Sequence, residues 1–404
     1  MTAKTRYDYL SSERTQFLDE AEEAAELTLP YLITKDQYNK GMRHLPTPWQ
    51  SVGAKGAVTL AAKLMQSMLP VQTSFFKLQV DESQLGQEFG PQIKSELDLS
   101  FAKIERTILE AIAASNDRVI VHEALLHLVV AGNALIFMGK EGLKVYPLNR
   151  YVVERDGDGN VIEIITKETI AKKLIEDQLP EDVLKQYNTV VDGSDDSVEE
   201  CDIYTHITRD NNRYVWHQEV HGTVLEKSYG KAPVDITPWI PLRFNTVDGE
   251  DYGRGRVGQF IGDLKSLEAL SQALVEGSAA AAKVVFTVSP SSTTKPSTLA
   301  NAGNGAIVQG RPDDIGVVQV GKTADFRTAF EMMQQLERRI NEAFLVMQVR
   351  NSERTTAEEV RLTQMELEQQ LGGLFSLLTT EFLLPYLNRV LNQFQKTGKI
   401  PRLP

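Results

Sequence analysis

The chain has 404 residues, 42% hydrophobic and 24% charged, the balance of a folded protein with room for two or three domains and not of a disordered or fibrous one. Forty-three Lys and Arg against 55 Asp and Glu leave a net charge of -12, the wrong sign for tight phosphate neutralisation, though compatible with a surface past which DNA slides. The single cysteine, Cys201, excludes an intrachain disulfide and a cysteine-rich zinc site, and it fits a reducing compartment.

The first 26 residues lack the apolar core of a signal peptide and read as an acidic amphipathic helix. Helical character is expected over 10–70, broken at 41–49, where Gly41, Pro46 and Pro48 end one helix before another begins near Ser51. Residues 96–139 give two more helices, parted around Ala114–Asp117. The second holds the most apolar run, 122–139, but His122, Glu123, His127 and Asn133 would be costly at membrane depth, so a buried helix and no membrane partner are expected.

From about residue 142 the period becomes that of strands: 143–148, then 151–166, where a Gly-rich turn separates two β-branched runs as in a hairpin. After an acidic helix and loop at 170–200, strands are expected at 202–209, 213–227 and 240–244, completing an α/β lobe over roughly 1–250. Beyond Gly253, Val257, Phe260, Ile261, Leu264, Leu267, Leu270 and Leu274 recur at spacings of three and four, the stripe of one long amphipathic helix. Residues 284–320 return to short strands punctuated by Pro and Gly. A further helix at 324–348 is striped by Phe326, Phe330, Met333, Leu336, Ile340, Phe344 and Met347. A capping box at Thr355/Glu358 or Thr356/Glu359 starts a last helix, running to about Gln395 and bent by Gly372, Gly373 and Pro385.

Three motifs invite chemistry. Residues 253–258, GRGRVG, have the spacing that lets a helix N-terminus approach a pyrophosphate, with Gly253, Gly255 and Gly258 as its glycines. The polar run Asp248-Gly249-Glu250-Asp251 stands where a buried strand should end, so a permissive start to the long helix is the better reading. Asp156, Asp158 and Asn160 imitate a calcium loop, but Val161 and Lys167 occupy positions that need Gly and Glu. His217, Glu219 and His221 would share one face of a strand, which reads as a solvated polar face because the helical zinc motif is unmatched. Without a nucleophile elbow, a P-loop or a Cys/His pair, no enzyme, no cofactor and no metal is expected.

Segments 47–79, 123–137, 151–166, 251–274 (DYGRGRVGQFIGDLKSLEALSQAL) and 352–387 (SERTTAEEVRLTQMELEQQLGGLFSLLTTEFLLPYL) resemble, in order, the portal or head-to-tail connector family of short-tailed double-stranded-DNA bacteriophages. The resemblance implies an α+β, mainly helical, portal-type fold. Its parts would be an α/β wing over 1–255, a first stem helix over 256–283, a clip over 284–322 and a second stem helix over 324–348. A channel (tunnel) loop over 349–355 and a long wing or crown-base helix with the C-terminal tail over 356–404 would follow. The family's helical crown and barrel usually lie beyond the point where this sequence stops, so that part is expected absent or truncated.

The same resemblance implies a ring, usually of twelve subunits, at one capsid vertex of the virion, assembled in the host cytoplasm. Double-stranded DNA would pass through it during packaging and ejection. The terminase large subunit, the major capsid and scaffolding proteins, tail adaptor and tail tube (nozzle) proteins, and internal core proteins would be its partners. In the stem, Phe260, Leu264, Leu267, Leu270, Phe326, Phe330, Met333, Leu336 and Ile340 would pack within and between subunits. In the loop, Arg350, Asn351, Ser352 and Arg354 would face the lumen and touch phosphates weakly, a solvated loop being the bland reading. Two rivals stay open: a tail adaptor ring, and a nucleotide-binding enzyme using GRGRVG.

Overall fold

The acidic N-terminal segment forms helix α1 (Ala3–Glu26), started by Thr2, whose hydroxyl accepts from the Thr5 amide. Its buried positions Ala3, Tyr7, Leu10 and Arg14, then Ala21, Ala24 and Ala25, follow the helical period and give it one inward face. A computed structural model supplies this architecture and describes residues 2–34, 45–70, 74–79, 91–139, 142–171, 200–281, 285–290, 295–297, 301, 311, 315–318, 323–346, 365 and 373–401. Helices α2 (Val52–Met68), α3 (Pro91–Ala114) and α4 (Asp117–Ala131) follow, as the apolar periodicity predicts.

The apolar run after α4 departs from expectation. Gly132, left-handed at φ 77°, ends α4, and residues 133–138 form strand β1 (Asn133–Met138) instead of continuing the helix. The reason is burial on both sides: β1 pairs antiparallel with β2 (Leu143–Tyr146) on one edge and β8 (Trp239–Arg243) on the other. A short apolar run of this kind has no period to tell strand from helix.

Between these edge strands the chain makes a five-stranded antiparallel meander: β3 (Tyr151–Arg155), β4 (Val161–Ala171), β5 (Glu200–Asp210), β6 (Arg213–Val220) and β7 (Thr223–Pro233), in that spatial order. The expected hairpin over 151–166 is β3–β4. The run 213–227, expected as one strand, is instead two, because His221 and Gly222 adopt positive φ (49° and 79°) and close a tight hairpin. Strand alternation gives the meander two covered faces. Val153, Ile164 and Ile207 point into the main core, while Val152, Ile165 and Tyr204 meet Ala3, Tyr7 and Leu10 of α1.

The stripe beyond Gly253 is interrupted once. A short helix α5 (Arg256–Gln259) stops at Phe260 (φ -117°), and α6 runs from Ile261 to Ala281. Strands β9 (Val285–Val288) and β10 (Ile315–Val318) then pair antiparallel, and α7 (Thr323–Ala343) returns. Helix α7 ends short of the expected 348. The Leu345 amide bonds to Glu342 O at 3.1 Å and the Val346 amide to Asn341 O at 2.8 Å, a C-terminal cap with Leu345 at φ 56°.

The C-terminal helical segment begins at left-handed Gly373 and runs through α8 (Leu374–Leu378), a wide π turn (Thr379–Leu383) and α9 (Leu384–Lys396). Pro385 lies at the start of α9, where widening of the preceding turn accommodates its ring and missing N–H. The acidic helix and loop expected at 170–200 fall, apart from their ends, outside the described residues. So do residues 349–355, most of 289–314 and, except Met365, residues 356–372.

Candidate assembly interface and its junction with the lobe

Helices α6 and α7 form an antiparallel hairpin joined through β9 and β10. Asp263 meets Arg339 at 2.8 Å at the lobe end, and Ser271 Oγ lies 3.8 Å from Met333 Sδ midway. Farther out, the Phe326 ring lies against Gly277, where an added Cβ would come within 2.5 Å of it.

The predicted stem residues divide by depth. Leu264, Leu267 and Ile340 are 0% exposed inside this one chain, so they have no surface left for a neighbouring subunit. The physical reason is that the lobe end of the hairpin plugs into the main core, where Val257, Phe344 and Leu345 are buried with them. Phe260, Leu270, Phe326, Met333 and Leu336 are half-buried in the seam. Phe330, expected in the same stripe, is 48% exposed. Met332 at 52% and Val275 at 54%, which the stripe did not single out, join it as uncovered apolar side chains. Exposed apolar groups mark an interaction surface where they join into a contiguous patch.

The hairpin is fastened to the lobe by the GRGRVG segment. Asn133, 1% exposed, accepts from the Gly253 amide (2.7 Å) and donates its Nδ2 to Gly253 O (2.7 Å) and Ala131 O (3.1 Å). A Cβ on Gly253 would lie 2.8 Å from Gly132 O, and one on Gly255 would lie 2.6 Å from Val130 O. These two glycines serve close approach to the C-terminal end of α4. Gly258 faces open space, and α5 has four residues. A phosphate cradle would need the backbone of these glycines turned to a ligand, whereas here it is turned to the protein itself.

Both arginines of the motif are engaged as well. Arg254 pairs with Glu20 of α1 (2.7 Å) and Glu250 (2.6 Å), bonds that raise its pKa against partial burial. Arg256 donates through Nη2 (3.0 Å) and Nε (3.2 Å) to Ala343 O, at the carbonyl end of α7 where a cation is favoured. Burial lowers the Arg256 pKa from its usual value. Its guanidinium also covers the Phe260 ring, which sits 6.1 Å from that of Phe344.

Elsewhere the lobe is stitched by buried polar bonds. Arg14, 5% exposed, donates to Leu148 O (2.8 Å) and Tyr151 O (2.5 Å). Arg243 of β8 pairs with Glu381 of the π turn at 2.6 Å, with both side chains largely buried. The calcium-like loop is a turn: Asp156 Oδ1 accepts from the amides of Asp158 (3.0 Å) and Asn160 (2.7 Å). His221 lies in the β6–β7 turn, apart from the cluster that His217 and Glu219 make with His206 of β5. The loop residues Arg350, Asn351, Ser352 and Arg354 lie outside the described residues.

Comparison with known proteins places this architecture. The family described as bacteriophage head to tail connecting protein matches residues 1–404. The portal protein of Enterobacteria phage T3 is 39% identical over 100% of this chain and 76% of its own length, and that of Escherichia phage T7 is 38% identical with the same coverage. The portal protein of Enterobacteria phage SP6 is 30% identical over 94% of this chain and 73% of its own. A solved structure described as the neck of an empty GTA particle covers 88% of both chains at 13% identity and a TM-score of 0.39, too loose a likeness to carry an argument. With the match running through every element from α1 to α9, the chain belongs to the bacteriophage head-to-tail connecting proteins, the family that includes these portal subunits.

Proposed function

We propose that the chain assembles through its α6/α7 hairpin into a closed ring that walls a DNA channel at the junction of phage head and tail. In this reading residues 1–255 are the wing, α6 and α7 the stem, the β9–β10 module the clip, and 349–355 the channel loop. Residues 356–404 are the wing-crossing helix and tail. The observation that carries it is the set of Phe330, Met332 and Val275, uncovered on a hairpin whose other large apolar side chains, among the described residues, are consumed in the seam and the core. A cyclic arrangement covers such surfaces on every copy, since one side of each subunit's hairpin meets a different side of its neighbour's in a head-to-tail contact that closes.

The channel role accords with the net charge of -12, because a wall that repels phosphates gives sliding DNA few places to stick. Arg350 and Arg354 are assigned to brief, salt-screened phosphate contacts. Terminase and then tail components dock on the clip, and the ring assembles in the host cytoplasm before joining the virion. Negative-stain imaging of the purified protein tests the central claim. The expected result is rings with a central hole, twelvefold by the family's habit; a monomer under every condition, phage scaffolding present included, overturns it. The nucleotide reading loses its footing with Gly253 and Gly255 packed on α4.

A further inference from the structure

We propose that His206, His217 and Glu219 form a zinc-binding site on the meander, at the N-terminal end of α1. His206 of β5 and His217 of β6 are directly opposite each other in the antiparallel register, and Glu219 lies two residues along β6 on the same face. One ligand atom from each of the three lies within 4.8 Å of the other two. A tetrahedral zinc ion with bonds of about 2.0–2.2 Å holds its ligand atoms roughly 3.5 Å apart, so the side chains must converge by about an ångström. His217 Nε2 and Glu219 Oε1 are already 3.0 Å apart.

The donors and their surroundings favour this ion. Two imidazoles and a carboxylate suit zinc, whereas calcium and magnesium prefer all-oxygen sets. Both imidazoles and the carboxylate are mostly shielded, with side-chain exposures of 18%, 24% and 9%. Glu163 Oε1 lies 2.5 Å from His206 Nε2 and, with zinc on Nδ1, would orient that ring as the carboxylate partners of metal-bound histidines do. Glu219 Oε2 accepts from the Ala3 amide at 2.6 Å, which fixes the third ligand. Glu154 and Glu163 both pair with Arg6, and Glu219 is a third carboxylate beside them in the cluster. Three carboxylates against one guanidinium leave two negative charges, the complement of one divalent ion. The ion would clasp β5 to β6 and, through Glu219, hold the start of α1 on the sheet.

The experiment uses the full chain, stripped with a chelator and titrated with zinc chloride by calorimetry. One equivalent per subunit is expected, and cobalt(II) in its place should give the intense visible bands of tetrahedral coordination. His206→Gln and His217→Gln should each abolish stoichiometric binding, with folding verified by circular dichroism. Glu163→Gln should weaken binding by about ten- to a hundredfold. His221→Asn, in the adjoining turn, should bind as the parent does. Substoichiometric zinc uptake, cobalt spectra without tetrahedral bands, or equal loss in the His221 variant each overturns the site. The cobalt spectrum of the unmutated protein decides the matter even if a histidine variant fails to fold.

Discussion

Gly255→Ala isolates the junction between hairpin and lobe. The native φ of -73° suits alanine, so the cost comes from space and not from backbone strain. The new Cβ would sit 2.6 Å from Val130 O and 2.9 Å from Gly132 N, both backbone atoms, and ordinary contact begins near 3.4 Å. The 253–255 segment must therefore move about 0.8 Å from the end of α4, the difference between 3.4 and 2.6 Å. That displacement stretches the two 2.7 Å bonds between Asn133 and Gly253 beyond good hydrogen-bond geometry and leaves a fully buried amide side chain underpaired. Overpacking typically costs about 1–3 kcal/mol, and an unsatisfied buried polar group adds about as much, so a loss of roughly 3 kcal/mol is expected. Urea unfolding of the purified protein measures it, with Gly258→Ala as control. Gly258 faces open space in a helix, so alanine there should be neutral or stabilising by up to about 1 kcal/mol. A Gly255→Ala variant as stable as the parent, or a Gly258→Ala variant that is the worse of the two, refutes the packing argument.

Three further outcomes follow from burial and charge. Phe330→Asp changes a side chain that is 48% exposed, so the subunit should keep its stability within about 0.5 kcal/mol while losing the ability to form rings. Leu267→Asp puts a charge at a 0% exposed position and should unfold the subunit itself; mass photometry with circular dichroism separates the two effects. His127, 3% exposed on α4, has its pKa lowered by burial from 6.5 to about 4, and among the described residues its Nδ1 has no partner. The unfolded chain protonates this imidazole near 6.5 while the folded one resists to about 4. The unfolded state thus binds more protons in that window, and stability falls as pH drops through it. The loss reaches about 3 kcal/mol below pH 4. Unfolding curves of His127→Phe from pH 7 to 4 should be flatter than the parent's; equal slopes refute the assignment.

Periodicity revealed the helices α1, α2, α6 and α7 because each carries an apolar stripe, whereas α4, buried at every position from Ala124 to Ala131, was legible as a continuous apolar run. It failed where both faces are covered. The run 133–138 reads the same whether helical or extended, and only the left-handed Gly132 before it hints that the helix has stopped. The β6–β7 turn was hidden for another reason: His221-Gly222 lacks the Asn or Asp that usually announces such a hairpin, and a histidine at positive φ is uncommon. That single turn also redraws the polar cluster, because it removes His221 from the strand face and leaves His206, distant in sequence, as the partner of His217. The stripe on α6 and α7 was legible as a stripe, but a sequence period gives the direction of a side chain and not what lies beyond it. Leu267 and Phe330 look alike in the sequence, yet one is in the core and the other at the surface.

The ties at the lobe end of the hairpin explain how one apolar stripe serves two purposes. Arg256 holds the carbonyl end of α7, Arg254 reaches Glu20 of α1, Asn133 clamps Gly253, and Arg339 meets Asp263 across the two helices. Leu264, Leu267 and Ile340 are buried at this same end, so the helices start their course with a fixed spacing and direction. Farther along, Ser271 beside Met333 and Phe326 on Gly277 maintain the spacing, and there Phe330 and Val275 are left uncovered. Ordering a flexible hairpin on association would consume much of what burying those side chains contributes. A hairpin anchored beforehand loses little further freedom, so in the proposed ring its modest exposed area would act almost wholly in joining one copy to the next.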